Sequence, residues 1–154
     1  KPYGLRMSGL LKNVIIAIVW AISTIMVPLN LNDFPLFSTD VRLLFIERTL
    51  FIFTIMLPFD LQDVDADARE GIQTIPIYLG TRKTKMLISG FAVLMAVIMT
   101  FHYQGSLLLA NLLSIAYILI LVVFLHQYKD DLHFLVFWDG AIVIQGGLVM
   151  MAVF

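Results

Sequence analysis

The run NVIIAIVWAISTIMVPLN (residues 13–30) contains no charged residue, and it decides the class of this protein. A helix needs about 20 mostly apolar residues to cross a bilayer. No Asp, Glu, Lys or Arg occurs between Lys12 and Asp33, so the run is long enough. The sequence therefore predicts a membrane-spanning helix here.

The composition of the whole chain points the same way. Of 154 residues, 60% are hydrophobic and 14% are charged, and the mean hydropathy is +0.94. A soluble domain carries about 25% charged residues, so this chain has too few to cover a water-facing surface. The formal net charge of -1 and the lack of a basic stripe argue against a nucleic-acid partner. With no cysteine, disulfides, thiolate metal sites and cysteine nucleophiles are excluded.

Further apolar runs follow, separated by polar breaks at 32–40, 60–85, 102–106 and 126–133. They predict an all-α, multi-pass transmembrane bundle of about five helices, embedded in membrane lipid. The predicted spans are residues 14–31, 41–59, 86–101, 106–125 and 134–154.

The distribution of Lys and Arg predicts how the bundle is oriented, because these residues are enriched in cytoplasmic loops. With five spans, one side holds eight cations, and the other side holds Arg42 alone if Arg48 is counted as intramembrane. The eight are Lys1, Arg6, Lys12, Arg69, Arg82, Lys83, Lys85 and Lys129. The polar stretch 60–85 is therefore predicted to face the cytoplasm.

That stretch begins with LPFDLQDVDADAREG (residues 57–71), which we call the acidic segment. On a helix, Asp60, Asp63 and Asp67 fall on one face at i, i+3 and i+7, and Asp65 points to the other side. Clustered carboxylates repel one another and need a cation nearby. Mg²⁺ takes one or two carboxylates and completes its shell with waters and substrate phosphates.

The acidic segment has two other possible interpretations, a calcium-binding loop and a solvated acidic loop. An EF-hand would start at Asp63, but Ala68 then stands where Gly is required and Thr74 where Glu is required, so a calcium loop is excluded. A merely solvated acidic loop stays open on spacing alone.

The sequence GTRKTK (residues 80–85) leads into the third predicted span. Gly80 can end the preceding segment, and Thr81 can cap the next helix. Arg82 and Lys83 would lie in a first helical turn, where the macrodipole disfavours cations unless they share a phosphate with free N–H groups. Cytoplasmic positive charge explains the same residues equally well. With Arg69, they are the candidate diphosphate-binding residues.

Residues 57–83 resemble the second aspartate-rich motif of the UbiA superfamily of intramembrane prenyltransferases. Their sequence is LPFDLQDVDADAREGIQTIPIYLGTRK. The resemblance combines D-x-x-D-x-x-x-D with G-x-x-T-x-P-x-x-x-G at a fixed offset. The matching positions are Asp60, Asp63, Asp67, Gly71, Thr74, Pro76 and Gly80.

The resemblance implies an enzyme that transfers a prenyl group from a polyprenyl diphosphate to an aromatic or other lipophilic acceptor with Mg²⁺. It implies that Asp63 and Asp67 are the catalytic Mg²⁺–diphosphate ligands, supported by Asp60 as a further metal ligand. The family's first motif, N-D-x-x-D-x-x-x-D, does not occur in this sequence. We therefore expect residues 1–154 to be the C-terminal portion of a prenyltransferase domain of about nine helices. Such a portion is expected to be inactive without the N-terminal helices that carry the first motif.

Two non-enzymatic functions remain as alternatives. One is a cation transporter component with an acidic cytoplasmic mouth, which would need ionisable residues near mid-membrane. The other is a non-catalytic membrane interaction subunit.

The predicted orientation can be tested with single cysteines. Ala66→Cys in the acidic segment and Ser38→Cys before the second span are expected to react with a membrane-impermeant thiol reagent from opposite faces of sealed vesicles. Labelling of both from one face would contradict the five-span topology.

Overall fold

The computed structural model describes residues 9–27, 29, 38–125 and 131–153, and the elements along these ranges are helices. They are α1 (Gly9–Ala21, continued as a π-helix over Ile22–Met26), α2 (Thr39–Gln62), α3 (Val64–Glu70), α4 (Ile75–His102), α5 (Gly105–Phe124) and α6 (Asp131–Val153). The predicted all-α, multi-span fold is confirmed. The chain divides into two compact units, Lys1–Gly80 and Thr81–Phe154.

Four helices in the described part are long and apolar enough to cross a membrane: Gly9–Met26, Ile75–His102, Gly105–Phe124 and Val136–Val153. The predicted second span lies in α2, which is not one of the four. The reason is its charge, since α2 carries Asp40, Arg42, Glu47, Arg48 and Asp60. Its Glu47 is buried in the protein, as expected for an ionisable residue on such a helix. The five-span topology stays a prediction.

The helices otherwise follow the predicted spans, with one large difference. α4 begins at Ile75, whereas the third span was predicted to begin at residue 86. The sequence predicted a helix starting after Gly80 and placed the polar residues before 86 outside the span, whereas helix is also present over 75–79. The predicted turn at 32–40 and loop at 126–133 lie mostly outside the described residues.

In the first unit, α1 contacts α2 through a buried stripe with a spacing of four residues. The stripe consists of Gly9, Asn13, Ala17, Ala21 and Ile25. Because most of these side chains are small, the two helix backbones can approach closely. Asn13 is the one amide in this stripe, and it lies at the level of the acidic segment.

In the second unit, α5 and α6 form an antiparallel pair joined by two hydrogen bonds. The Ser106 hydroxyl donates to the Ala152 carbonyl at 3.0 Å, and the Tyr117 hydroxyl donates to the Phe137 carbonyl at 3.0 Å. The second bond satisfies a part-buried hydroxyl, whereas Ser106 is exposed at the start of α5.

Gly80 interrupts α4, as the sequence predicted, although helix resumes directly after it. Its φ of 75° and ψ of 163° lie in a region of backbone space that is almost exclusive to glycine. Arg82 and Lys83 therefore do lie in the first turn after a break.

Gly80→Ala is expected to destabilise the protein by about 1–3 kcal/mol, because alanine cannot adopt this backbone conformation without strain. Thermal unfolding in detergent, followed by circular dichroism, measures the effect. Gly90→Ala is the matched control, since Gly90 is helical and a Cβ there meets nothing within 4 Å. Equal melting temperatures for Gly80→Ala and wild type would contradict the assigned conformation.

Candidate metal and diphosphate site

The acidic segment is helical on both sides of Asp63. α2 continues through Pro58 to Gln62, and α3 starts at Val64. The Asp63 N–H donates to the Phe59 carbonyl at 3.0 Å, and the Asp67 N–H donates to the Asp63 carbonyl at 2.8 Å. Both bonds join residues four apart, one on each side of the junction, and Asp63 itself departs from helical backbone with φ of -87° and ψ of 3°. Pro58 lies inside α2 and does not end it.

The three predicted metal-binding aspartates interact electrostatically. The charges of Asp63 and Asp67 both raise the pKa of Asp60. Asp63 also raises the pKa of Asp67. Asp60 is buried, Asp67 is half-buried and Asp63 is exposed. The three carboxylates are thus close enough for their charges to interact, and two of them are accessible.

Burial has the largest effect on Asp60, raising its pKa from 3.8 to about 6. The hydrogen bond from Asn13 and the charge of Lys12 act in the opposite direction. For Asp67 the pKa is also raised, chiefly by desolvation and then by Asp63, and Lys12 again opposes the shift. Burial and the neighbouring carboxylates thus disfavour the charged forms of Asp60 and Asp67, and a nearby cation would favour them.

Lys12 and Asn13, two neighbouring residues of α1, interact with the aspartates. Lys12 is exposed on α1, and its charge acts on both Asp60 and Asp67. The Asn13 amide group donates a hydrogen bond to the Asp60 carboxylate, and both side chains are buried. The counter-charge expected from the sequence is thus partly provided by the start of α1.

The segment after α3 also meets α1. Gly71 ends α3 in the left-handed conformation, with φ of 73°. The Gly9 N–H then donates to the Gln73 carbonyl at 2.9 Å. A Cβ on Gly9 would lie 2.5 Å from Thr74 Cγ2 and 2.9 Å from the Gln73 carbonyl oxygen. Only glycine fits at this contact without displacing the chain.

The predicted diphosphate-binding cations are distributed over both units. Arg69 lies in the last turn of α3, exposed and close in sequence to the aspartates. Arg82 and Lys83 are exposed in the second unit, directly after Gly80. Their role beside the aspartates stays a prediction.

The donor chemistry fits Mg²⁺ held with a substrate better than a closed metal site. In the part of the chain that the structure describes, no group of three His, Cys, Asp or Glu side chains could hold a metal ion. Mg²⁺ requires only one or two protein carboxylates when phosphates and waters complete its shell. Asp63 and Asp67 are the accessible carboxylates, whereas Asp60 is buried against Asn13. Asp60 therefore suits a supporting role.

Sequence reasoning missed Gly9 and Asn13 and used Lys12 only as a marker of orientation. A pattern was present, because Gly9, Asn13, Ala17 and Ala21 recur every four residues along α1. The sequence does not show that Asn13 contacts Asp60, because the two residues are 47 positions apart.

The comparisons with known proteins give one match. The model of the UbiA prenyltransferase family matches residues 2–138. Neither the curated proteins nor the solved structures gave a match to the chain.

The raised pKa of Asp60 predicts a pH dependence of stability in the absence of divalent cations. Below pH 3.8 this carboxyl is neutral in folded and unfolded protein, whereas above about 6 it is charged in both. The folded state binds the proton more tightly, so stability falls as the pH rises through this window, by an amount on the order of 3 kcal/mol. Asp67, whose pKa is also raised, contributes in the same direction.

Melting temperatures measured in EDTA between pH 3.8 and about 6 test whether Asp60 causes this pH dependence. In the Asp60→Asn variant the melting temperature is expected to change much less with pH. In Asp65→Asn, at an exposed position of α3, it is expected to change as in wild type. An Asp60→Asn variant with the wild-type slope would show that another group carries the dependence.

Proposed function

The chain belongs to the UbiA prenyltransferase family, a family of membrane prenyltransferases, and we propose that its acidic segment binds the Mg²⁺–diphosphate of a polyprenyl donor. The prenyl group is transferred to an aromatic or other lipophilic acceptor within the membrane. One observation carries the proposal: Asp60, Asp63 and Asp67 form a cluster of interacting carboxylates at the end of α2.

The position of the cluster strengthens this interpretation. Asp60 lies in the last turn of α2, where the helix dipole adds negative potential and no basic residue is present. Carboxylates in such a place are stabilised by a divalent cation. Asp63 is exposed and Asp67 is half-buried, so both leave room for phosphate oxygens to share that cation.

Each proposed residue has a separate role. Asp63 and Asp67 hold Mg²⁺, with Asp60 supporting them from its buried position. Bound Mg²⁺ supplies Lewis-acid neutralisation of the charge that grows on the departing diphosphate. Arg69, in the same unit as the aspartates, binds phosphate oxygens directly, and Arg82 and Lys83 remain candidate phosphate-binding residues in the second unit.

The reaction itself breaks the bond between the allylic carbon and the diphosphate oxygen, and the electron pair leaves with the diphosphate. The acceptor then forms a bond to that carbon and loses a proton. The allylic cation must be kept from water during this step. The apolar surfaces of the spanning helices provide that environment. The acidic segment is proposed to face the cytoplasm, where a water-soluble diphosphate head is available.

Asp63→Asn and Asp67→Asn are each expected to lower prenyl transfer at least about 100-fold, because each removes an anionic Mg²⁺ ligand at nearly constant volume. Asp65→Asn is the matched control and should retain activity, because Asp65 lies on the other side of the helix. The measurement is product formation from a polyprenyl diphosphate and a panel of acceptors, with full-length protein in Mg²⁺ or EDTA.

Two outcomes would count against the proposal. Full activity of both Asp63→Asn and Asp67→Asn would remove the acidic segment from the reaction. Loss of activity in Asp65→Asn as large as in Asp63→Asn would contradict the one-face arrangement.

A further inference from the structure

The first two turns of α1 contact the chain on both flanks of the two accessible aspartates. Upstream, Asn13 donates a hydrogen bond to the buried Asp60 carboxylate. Downstream, the Gly9 N–H donates to the Gln73 carbonyl, and the missing Cβ of Gly9 leaves space for Thr74. Gly9 and Asn13 are one helical turn apart, so a single face of α1 makes both contacts.

We propose that Gly9 and Asn13 are positioning residues, and we call the pair the α1 clamp. By fixing both flanks, the α1 clamp sets the placement of the residues between them, which include Asp63 and Asp67. This inference rests on the proposed function, because a placement matters only if those carboxylates bind Mg²⁺–diphosphate.

The packing of Asn13 argues that its role is more than filling space. Its side chain is fully buried, and among the described residues its Oδ1 atom finds no hydrogen-bond partner. A buried polar atom without a partner is destabilising, so an apolar residue of similar size would pack more favourably here. Unlike an apolar side chain, the Asn13 amide can donate a hydrogen bond to the Asp60 carboxylate. Such outer partners orient metal-binding carboxylates in many proteins.

Among the described residues, the helix that carries Asp67 is only weakly packed. No residue of α3 is buried, and this helix has only seven residues. A helix this short is not stable by itself in water. Its position must come from its flanks, and in the first unit α1 contacts both of them.

The test needs a measurement that does not depend on activity. Hydrogen–deuterium exchange of full-length protein in detergent, without Mg²⁺ or substrate, reports the opening of residues 61–72 directly. Asn13→Leu and Gly9→Ala are each expected to speed exchange there about tenfold or more. The controls are Asn111→Leu, which removes a buried amide bonded within its own helix, and Gly90→Ala, where a Cβ meets nothing. Exchange of residues 61–72 should stay at the wild-type rate in both controls.

A charge exchange makes the test specific to the hydrogen bond. Asn13→Asp places two carboxylates together in alkaline buffer and should open the segment by repulsion. Adding Asp60→Asn restores one amide and one carboxylate, so protection should return. A double variant that exchanges as fast as Asn13→Asp alone would overturn the role of this bond.

The consequence for binding is measured separately, as the Mg²⁺ concentration for half-maximal prenyl transfer. Asn13→Leu and Gly9→Ala should raise it about 10–100-fold and keep most of the rate at saturating Mg²⁺. Unchanged exchange in both variants would overturn the clamp, whatever the activity. Faster exchange with an unchanged Mg²⁺ requirement would overturn its functional role. If wild type shows no Mg²⁺-dependent transfer, the proposed function fails, and exchange alone still decides whether Gly9 and Asn13 fix the segment.

Discussion

A buried carboxylate beside two others is the constraint on which this part of the protein depends. Asp60 lies at the negative end of the α2 dipole, largely removed from water, with the charges of Asp63 and Asp67 acting on it. Such a group stays ionised only with donors and cations around it. Asn13 supplies the donor and Lys12 supplies a charge, and the raised pKa shows that they compensate burial only in part. A cation bound with the substrate would complete the compensation.

This constraint explains why α1 begins as it does. Gly9 allows the helix start to lie against Gln73 and Thr74, and Asn13 places an amide at Asp60 one turn later. Beyond that level the same stripe continues as Ala17 and Ala21, which let the apolar parts of α1 and α2 pack closely. One face of α1 therefore contacts the acidic segment at one end and packs against α2 along the rest of its length.

The sequence predicted the membrane class and most helices because apolar runs and their polar breaks carry that information locally. It also singled out Asp60, Asp63 and Asp67, since several aspartates close together stand out in an apolar chain, and their role as metal ligands stays a prediction. It did not predict that helix already begins at Ile75, before the break at Gly80. Asn13 was missed for a different reason. Its importance comes from a contact across 47 positions, and no local pattern reports such a pairing.

Calorimetric titration of the full-length protein with a hydrolysis-resistant farnesyl thiodiphosphate measures whether the acidic segment binds a diphosphate through Mg²⁺. The account predicts binding in Mg²⁺, its loss in EDTA, and a much weaker affinity when Asp63 and Asp67 are both replaced by Asn. Binding of equal affinity with and without the divalent cation, unchanged by the double replacement, would contradict it.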